Sequence, residues 1–181
     1  DNEYHRIMAF SLNNYQVLFV LGAIDGFRQP ASGTMPGEFD RPTDVALDNE
    51  ENIYVVDQGN QRVQKFNKRG KFLLEFRQEK EGQPLIQPTH IAVDSDDAVY
   101  ILDKNKPYLL KYNNEGIFAD RIGDFSSIPN FQPSGLAVDS KHEIYVGETG
   151  KGENGRIHVF DETGNYLGAC VGFQGSTNSL V

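Results

Sequence analysis

Three segments of this chain align with one another without a gap. They are RPTDVALDNEENIYVVD (41–57), QPTHIAVDSDDAVYILD (87–103) and QPSGLAVDSKHEIYVGE (132–148). Their prolines, Pro42, Pro88 and Pro133, recur about every 45 residues, and a period of that size marks a unit that buries its apolar face only by stacking on its own copies. Each unit continues through RVQKF (62–66), YLLKY (108–112) or RIHVF (156–160), a turn with Gly70, Gly116 or Gly164, and a last apolar run, KFLLEF, GIFADRI or NYLGACV. The first run in each repeat ends in an Asp-led turn such as DNEEN or DSDDA, where the carboxylate accepts backbone N–H groups further along and closes a hairpin. The second run, IYVV or VYIL, is apolar at every position, as a strand buried on both faces must be. Third and fourth runs are joined by Gly and Asn turns that supply positive φ. Four antiparallel strands at this period make one propeller blade. A helical solenoid would need longer runs at a 3.6-residue period, and the sequence has none. The expected fold is all-β, a β-propeller.

The second half of the same repeat opens the chain. Asp1 and Arg6 carry the spacing of Asp57 and Arg62, and RIMAF (6–10) is followed by YQVLFVLG. The expected organisation is a half-blade over 1–27, blades over 28–76, 77–123 and 124–173, and a linker to a missing blade over 174–181. That is about three and a half blades, whereas a ring closes with about four to eight. Open flanks would expose large apolar faces. We therefore expect a partial propeller whose parent has six or seven blades, completed by the rest of a longer polypeptide or by a second copy.

The repeat resembles the NHL family, whose pattern runs close to P-x-G-(I/V)-A-(V/L)-D, then G-x-(I/L)-Y-V-x-D, then N-x-R-(I/V)-x-x-F. Residues 133–139 (PSGLAVD), 53–57 (IYVVD) and 60–66 (NQRVQKF) carry it best. The third unit departs from it, with Tyr108 in place of the arginine and KNKP (104–107) in the preceding loop; the last unit has a longer loop, TGKGENG (149–155). The resemblance implies a scaffold whose relatives include binding modules and enzymes. In the amidating lyases that resemble NHL propellers, zinc-binding histidines follow the strand-one proline, and the residues here are Thr43, Thr89 and Ser134. His90 falls one place later, and His5, His142 and His158 match none of those positions. Lactonase-like propellers hold a central cation with acidic and Asn ligands, where this chain has Val45, Ala46, Leu47, Ile91, Ala92, Val93, Leu136, Ala137 and Val138. The expectation is a non-enzymatic protein-binding or scaffolding module with no cofactor. A metal-dependent propeller enzyme and an RNA-binding NHL domain stand as alternatives.

Charge bears on the partner. With 26 acidic and 17 basic residues the net charge is −9, a field that repels phosphate backbones and disfavours nucleic acid. No apolar run approaches a membrane span and no signal-peptide pattern opens the sequence, which leaves the compartment open. The single cysteine, Cys170, has no partner for an internal disulfide and reads as a packed thiol in an apolar strand.

Propeller topology puts the strand two–three loops and the links between blades on one face. Long irregular loops on a rigid scaffold are where binding concentrates, so the candidate binding residues are Gln58, Asn60, His90, Lys104, Lys106, Lys151 and Asn154. On the opposite face, Asp48, Glu50, Glu51, Asp94, Asp96, Asp97, Asp139 and Glu143, with Lys141 opposing, either close hairpins and solubilise the chain, attract a basic partner or weakly hold cations. The carboxylates ending strand two recur in every repeat. A catalytic residue is needed only once, so Asp57 with Arg62, and Glu148 with Arg156, are expected to be ion pairs that build blades. Asp103, lacking that arginine, is expected to turn to Lys104 or Lys106.

Overall fold

Each apolar run becomes an antiparallel strand, and each Asp- or Asn-led turn becomes the hairpin that joins it to the next. The computed structural model describes residues 4–24, 30–80, 82–128, 131–149 and 155–171. The chain divides into two units, Asp1–Pro88 and Thr89–Val181. In the first, β1 (Ile7–Phe10) and β2 (Val17–Leu21) form a two-stranded hairpin, and β3 (Ala23–Ile24) pairs with β4 (Pro30–Ala31). A four-stranded sheet follows: β5 (Pro42–Leu47), β6 (Ile53–Asp57), β7 (Arg62–Phe66) and β8 (Phe72–Phe76), with a short pair, β9 (Gln78–Lys80) and β10 (Gln83–Pro84), after it. The second sheet of this kind runs from β11 (Pro88–Val93) through β12 (Val99–Asp103) and β13 (Leu109–Tyr112) to β14 (Phe118–Ile122). The third comprises β15 (Pro133–Val138), β16 (Ile144–Glu148), β17 (Arg156–Phe160) and β18 (Tyr166–Val171). In every sheet the strands lie side by side in chain order. Among the described residues no helix is long and apolar enough to cross a membrane.

One turn device is used throughout. Asp48 Oδ1 accepts the backbone N–H groups of Glu50 and Asn52; Asp94 does the same for Asp96 and Ala98, and Asp139 for Lys141 and Glu143. The residue three places after each aspartate takes the left-handed conformation: Glu51 at φ 63°, Asp97 at 61° and His142 at 62°. Asn67, Asn113 and Asp161 close the strand three–four turns in the same way. A register shift recurs at Lys65/Phe66, Lys111/Tyr112 and Val159/Phe160, a bulge that raises local twist just before the turn.

The hairpin aspartates also receive tyrosines from strand two. Tyr54, Tyr100 and Tyr145 donate their hydroxyls to Asp48, Asp94 and Asp139 at 3.4, 3.1 and 3.3 Å. These three acidic positions therefore serve the hairpins, while Glu50 and Glu51 stay exposed. Burial raises the Asp48 and Asp94 pKa values, but hydrogen bonds outweigh it and hold both below the ordinary 3.8: from Asn52 and Lys65 on Asp48, from Ala98, His142, Asp96 and Tyr100 on Asp94. A depressed carboxylate adds stability above its unfolded pKa and loses it as pH falls through its folded value. Unfolding midpoints in urea should therefore drop as pH falls below about 4. The drop should be smaller in an Asp48→Asn, Asp94→Asn double variant.

Each unit has its own core. Leu21, Phe39, Val55 and Phe66 pack together in the first, with Ile7, Phe19, Ile53 and Phe72 against them, so the hairpin β1–β2 is laid on the following blade. In the second, Tyr100, Leu102, Leu109 and Ile122 of one sheet meet Leu136, Ile144, Val146 and Phe160 of the next. The strand-two residues Val99–Asp103 are buried at every position, as their unbroken apolar run required. Cys170 corrects an expectation: it is exposed, because β18 is the last strand of its sheet and has a ladder partner on one side alone.

Candidate functional site

In the first unit the loop face is organised around one arginine. Arg62 is fully buried and uses all five N–H donors of its guanidinium. Its Nε donates to Asp57 Oδ2 at 2.6 Å, Nη1 to Glu75 Oε2 and the Thr34 carbonyl at 2.7 and 2.8 Å, and Nη2 to the Met35 and Glu38 carbonyls at 3.1 and 2.8 Å. Asp57, equally buried, also accepts the Asp40 backbone N–H and the side-chain amides of Asn60 and Gln64. Gln64 in turn accepts from Gly37 N and donates to the Glu38 carbonyl, and Asn60 donates to the Gly33 carbonyl at 2.7 Å. The link 33–40 thus has its backbone held by side chains of the next blade, with Phe39 driven into the core against Phe66 at 5.9 Å. The following link is tied to the same place. Gln61 Nε2 donates to the Ile86 carbonyl, Gln58 Nε2 to the Pro88 carbonyl and Arg77 Nη1 to the Asn60 carbonyl. Held this way, Met35 is 64% exposed and Ile86 48% exposed.

The last blade is built differently. Glu148 pairs with His158, Nε2 to Oε2 at 2.9 Å, and Arg156 is exposed. The expected Glu148–Arg156 pair is therefore corrected. Three residues explain it: His158 stands where Gln64 stands in the earlier blade, Ala169 lies opposite His158 where Glu75 lies opposite Gln64, and Glu148 is one methylene longer than Asp57. With no acid on strand four to receive it, the guanidinium stays in solvent. His158 Nδ1 lies 3.3 Å from the Tyr166 hydroxyl, and its ring stacks edge-on to Phe131. Beside this group opens a cavity of about 300 Å³, lined among the described residues by Ile128, Phe160 and Tyr166 as apolar walls and by Asp124, Ser127, Arg156 and His158 as polar ones.

The NHL repeat model matches residues 39–66 and 132–160. Those stretches hold the Asn60–Arg62 clamp in one repeat and the Glu148–His158 pair in the other. The chain carries NHL repeats. It is 33% identical over 135 residues to Protein brain tumor of Drosophila melanogaster, an alignment covering 75% of this chain and 13% of that protein. Among solved structures it resembles virginiamycin B lyase from Staphylococcus aureus, with a TM-score of 0.63 at 14% identity over 98% of this chain and 51% of that one. It also resembles U3-55K, with a TM-score of 0.56 at 17% identity over 74% and 40%. The chain spans about half the length of the lyases it matches, and at these identities the likeness establishes the fold, a β-propeller.

Within this NHL array the binding residues expected from sequence have separate surroundings. Gln58 and Asn60 meet in the first unit, where both are committed to holding loop backbone. In the second unit, His90 is half-buried with Nδ1 3.0 Å from Thr89 Oγ1. Lys104 is exposed, and Lys106 is half-buried with its backbone N–H on the Asp103 carbonyl. Asp103 Oδ1 accepts the Asn105 backbone N–H. Tyr108, in the arginine's place, carries the Arg121 guanidinium 4.6 Å above its ring, so a strand-four side chain still reaches that corner. Lys151 and Asn154 lie outside the described residues. Met35 and Ile86 were not singled out from sequence, since an apolar residue in a loop is as readily buried as exposed. Among the described residues no three His, Cys, Asp or Glu side chains stand together as a metal site.

Proposed function

We infer that this NHL array is a protein-binding module and that the loop face of its first unit is a contact surface. The observation that carries the reading is that Met35 and Ile86 stay exposed while the backbone on which they ride is fixed. The adjacent residues Gln61 and Arg62 donate to the Ile86 and Met35 carbonyls. Apolar side chains on a pre-ordered loop contribute to binding without the ordering cost that a mobile loop carries. The polar groups beneath them are engaged in holding the loops, which suits a scaffold and requires no cofactor. The net charge of −9 supports a protein partner over nucleic acid.

The test is capture by the immobilised protein, with and without nuclease, compared with a Met35→Ser, Ile86→Ser variant. Both side chains are exposed, so the variant's stability should stay within about 0.5 kcal/mol of the parent. Affinity for the captured protein should fall about tenfold or more, and nuclease should change nothing. Capture that nuclease abolishes and that weakens steeply with salt would place RNA on this chain instead.

A further inference from the structure

We propose that the cavity between β17 and the 124–128 segment binds a small zwitterion with an apolar body, namely an aromatic or branched-chain α-amino acid. This site is separate from the loop face inferred to bind protein and does not depend on it.

Its walls follow from the period-two geometry of a strand. Arg156, His158 and Phe160 alternate along β17 and so share one face. Tyr166 is the ladder partner of Phe160, with ring centroids 5.4 Å apart, and Phe125 closes the other side of Phe160 at 5.3 Å. Ile128 completes the apolar surface. At about 300 Å³ the space lies at the small end of ligand pockets and suits one amino acid rather than a nucleotide or a folded segment.

The charges on the wall select the ligand. Both nitrogens of His158 are occupied, one by Glu148 and one by Tyr166, so neither is free for a ligand. Two charged side chains of the lining remain, Arg156 and Asp124. Arg156 is exposed and, among the described residues, makes no ion pair. Asp124 accepts the Ser126 backbone N–H at 2.9 Å, and the Ser126 hydrogen bonds hold its carboxyl below the usual range, so it is an anion at neutral pH. A simple carboxylate would gain from Arg156 and lose to Asp124, and a polyphosphate would lose more. A molecule carrying both an ammonium and a carboxylate satisfies both walls, and its apolar side chain fills the space beside Phe160 and Tyr166. Charge patterns of this kind select as much by what they repel as by what they attract.

Isothermal titration of the purified protein with L-phenylalanine, N-acetyl-L-phenylalanine and L-phenylalaninamide tests this directly. L-phenylalanine should bind saturably at one site. Removing either ligand charge should weaken binding about tenfold or more, as should Arg156→Gln or Asp124→Asn in the protein. Both variants alter exposed side chains, so their unfolding midpoints should match the parent's. Absence of saturable binding would overturn the proposal. So would equal affinity for the acetylated ligand, or unchanged affinity in either variant.

Discussion

An Arg62→Ala variant should lose about 3–5 kcal/mol of stability, read as a fall in the urea unfolding midpoint. Against a typical total of about 5–15 kcal/mol, that leaves a protein close to unfolding at room temperature. The substitution removes five donors at once. Asp57 would stay fully buried without its counter-charge, the Thr34 carbonyl would lose its donor, and the Met35 and Glu38 carbonyls would be left with Glu38 N–H and Gln64 alone. Arg62→Lys separates charge from geometry, because an ammonium carries the charge but offers three donors on a single nitrogen. It should recover part of the loss and leave the 33–40 link loosened, so the affinity carried by Met35 should fall even where the fold survives. Full recovery by lysine would mean that charge alone matters at this site and that the fork of hydrogen bonds is incidental.

The same residues show how far the sequence could be read. Strand order, hairpins and the inward face of strand two followed from local chemistry: an Asp or Asn at the turn, a glycine or left-handed residue three places on, and an unbroken apolar run. The Asp57–Arg62 spacing was visible for the same reason, since both ends of the pair lie on neighbouring strands in fixed register. Asn60 and Gln58 were legible as loop residues but not as struts, because their acceptors are backbone carbonyls at Gly33 and Pro88, and a carbonyl leaves no mark in the sequence. Glu148 breaks the pattern although Arg156 opens the next strand directly opposite it, as Arg62 does opposite Asp57, because the strand-four residue that differs, Ala169, is remote in sequence from both. The cavity beside Phe160 needed knowledge of where the 124–128 segment passes, which no repeat position encodes.

Gly164→Ala should be the most damaging single-methyl change in the described chain, at about 2–5 kcal/mol. Gly164 closes the β17–β18 turn at φ 87°, where a Cβ alone is unfavourable by about 1–2 kcal/mol. The added methyl would also collide with backbone: the Gly123 amide nitrogen, its Cα and the Ile122 carbonyl carbon. Backbone of an adjoining sheet cannot rotate aside as a side chain can. Relief would require β14 and the β17–β18 turn to separate, which loosens the Ile122 and Phe160 contacts of the core. Gly37→Ala supplies the control. It has nearly the same φ, 86°, and open space around the added methyl, so it should show the conformational term alone. The difference between the two unfolding midpoints then measures how tightly the two sheets of the second unit are seated. Because Asp124 follows Gly123 directly, Gly164→Ala should also weaken phenylalanine binding, whereas Gly37→Ala should leave it unchanged. Equal destabilisation by both substitutions would mean that the turn simply moves away, and that the close approach at Gly123 constrains neither the blade nor the cavity.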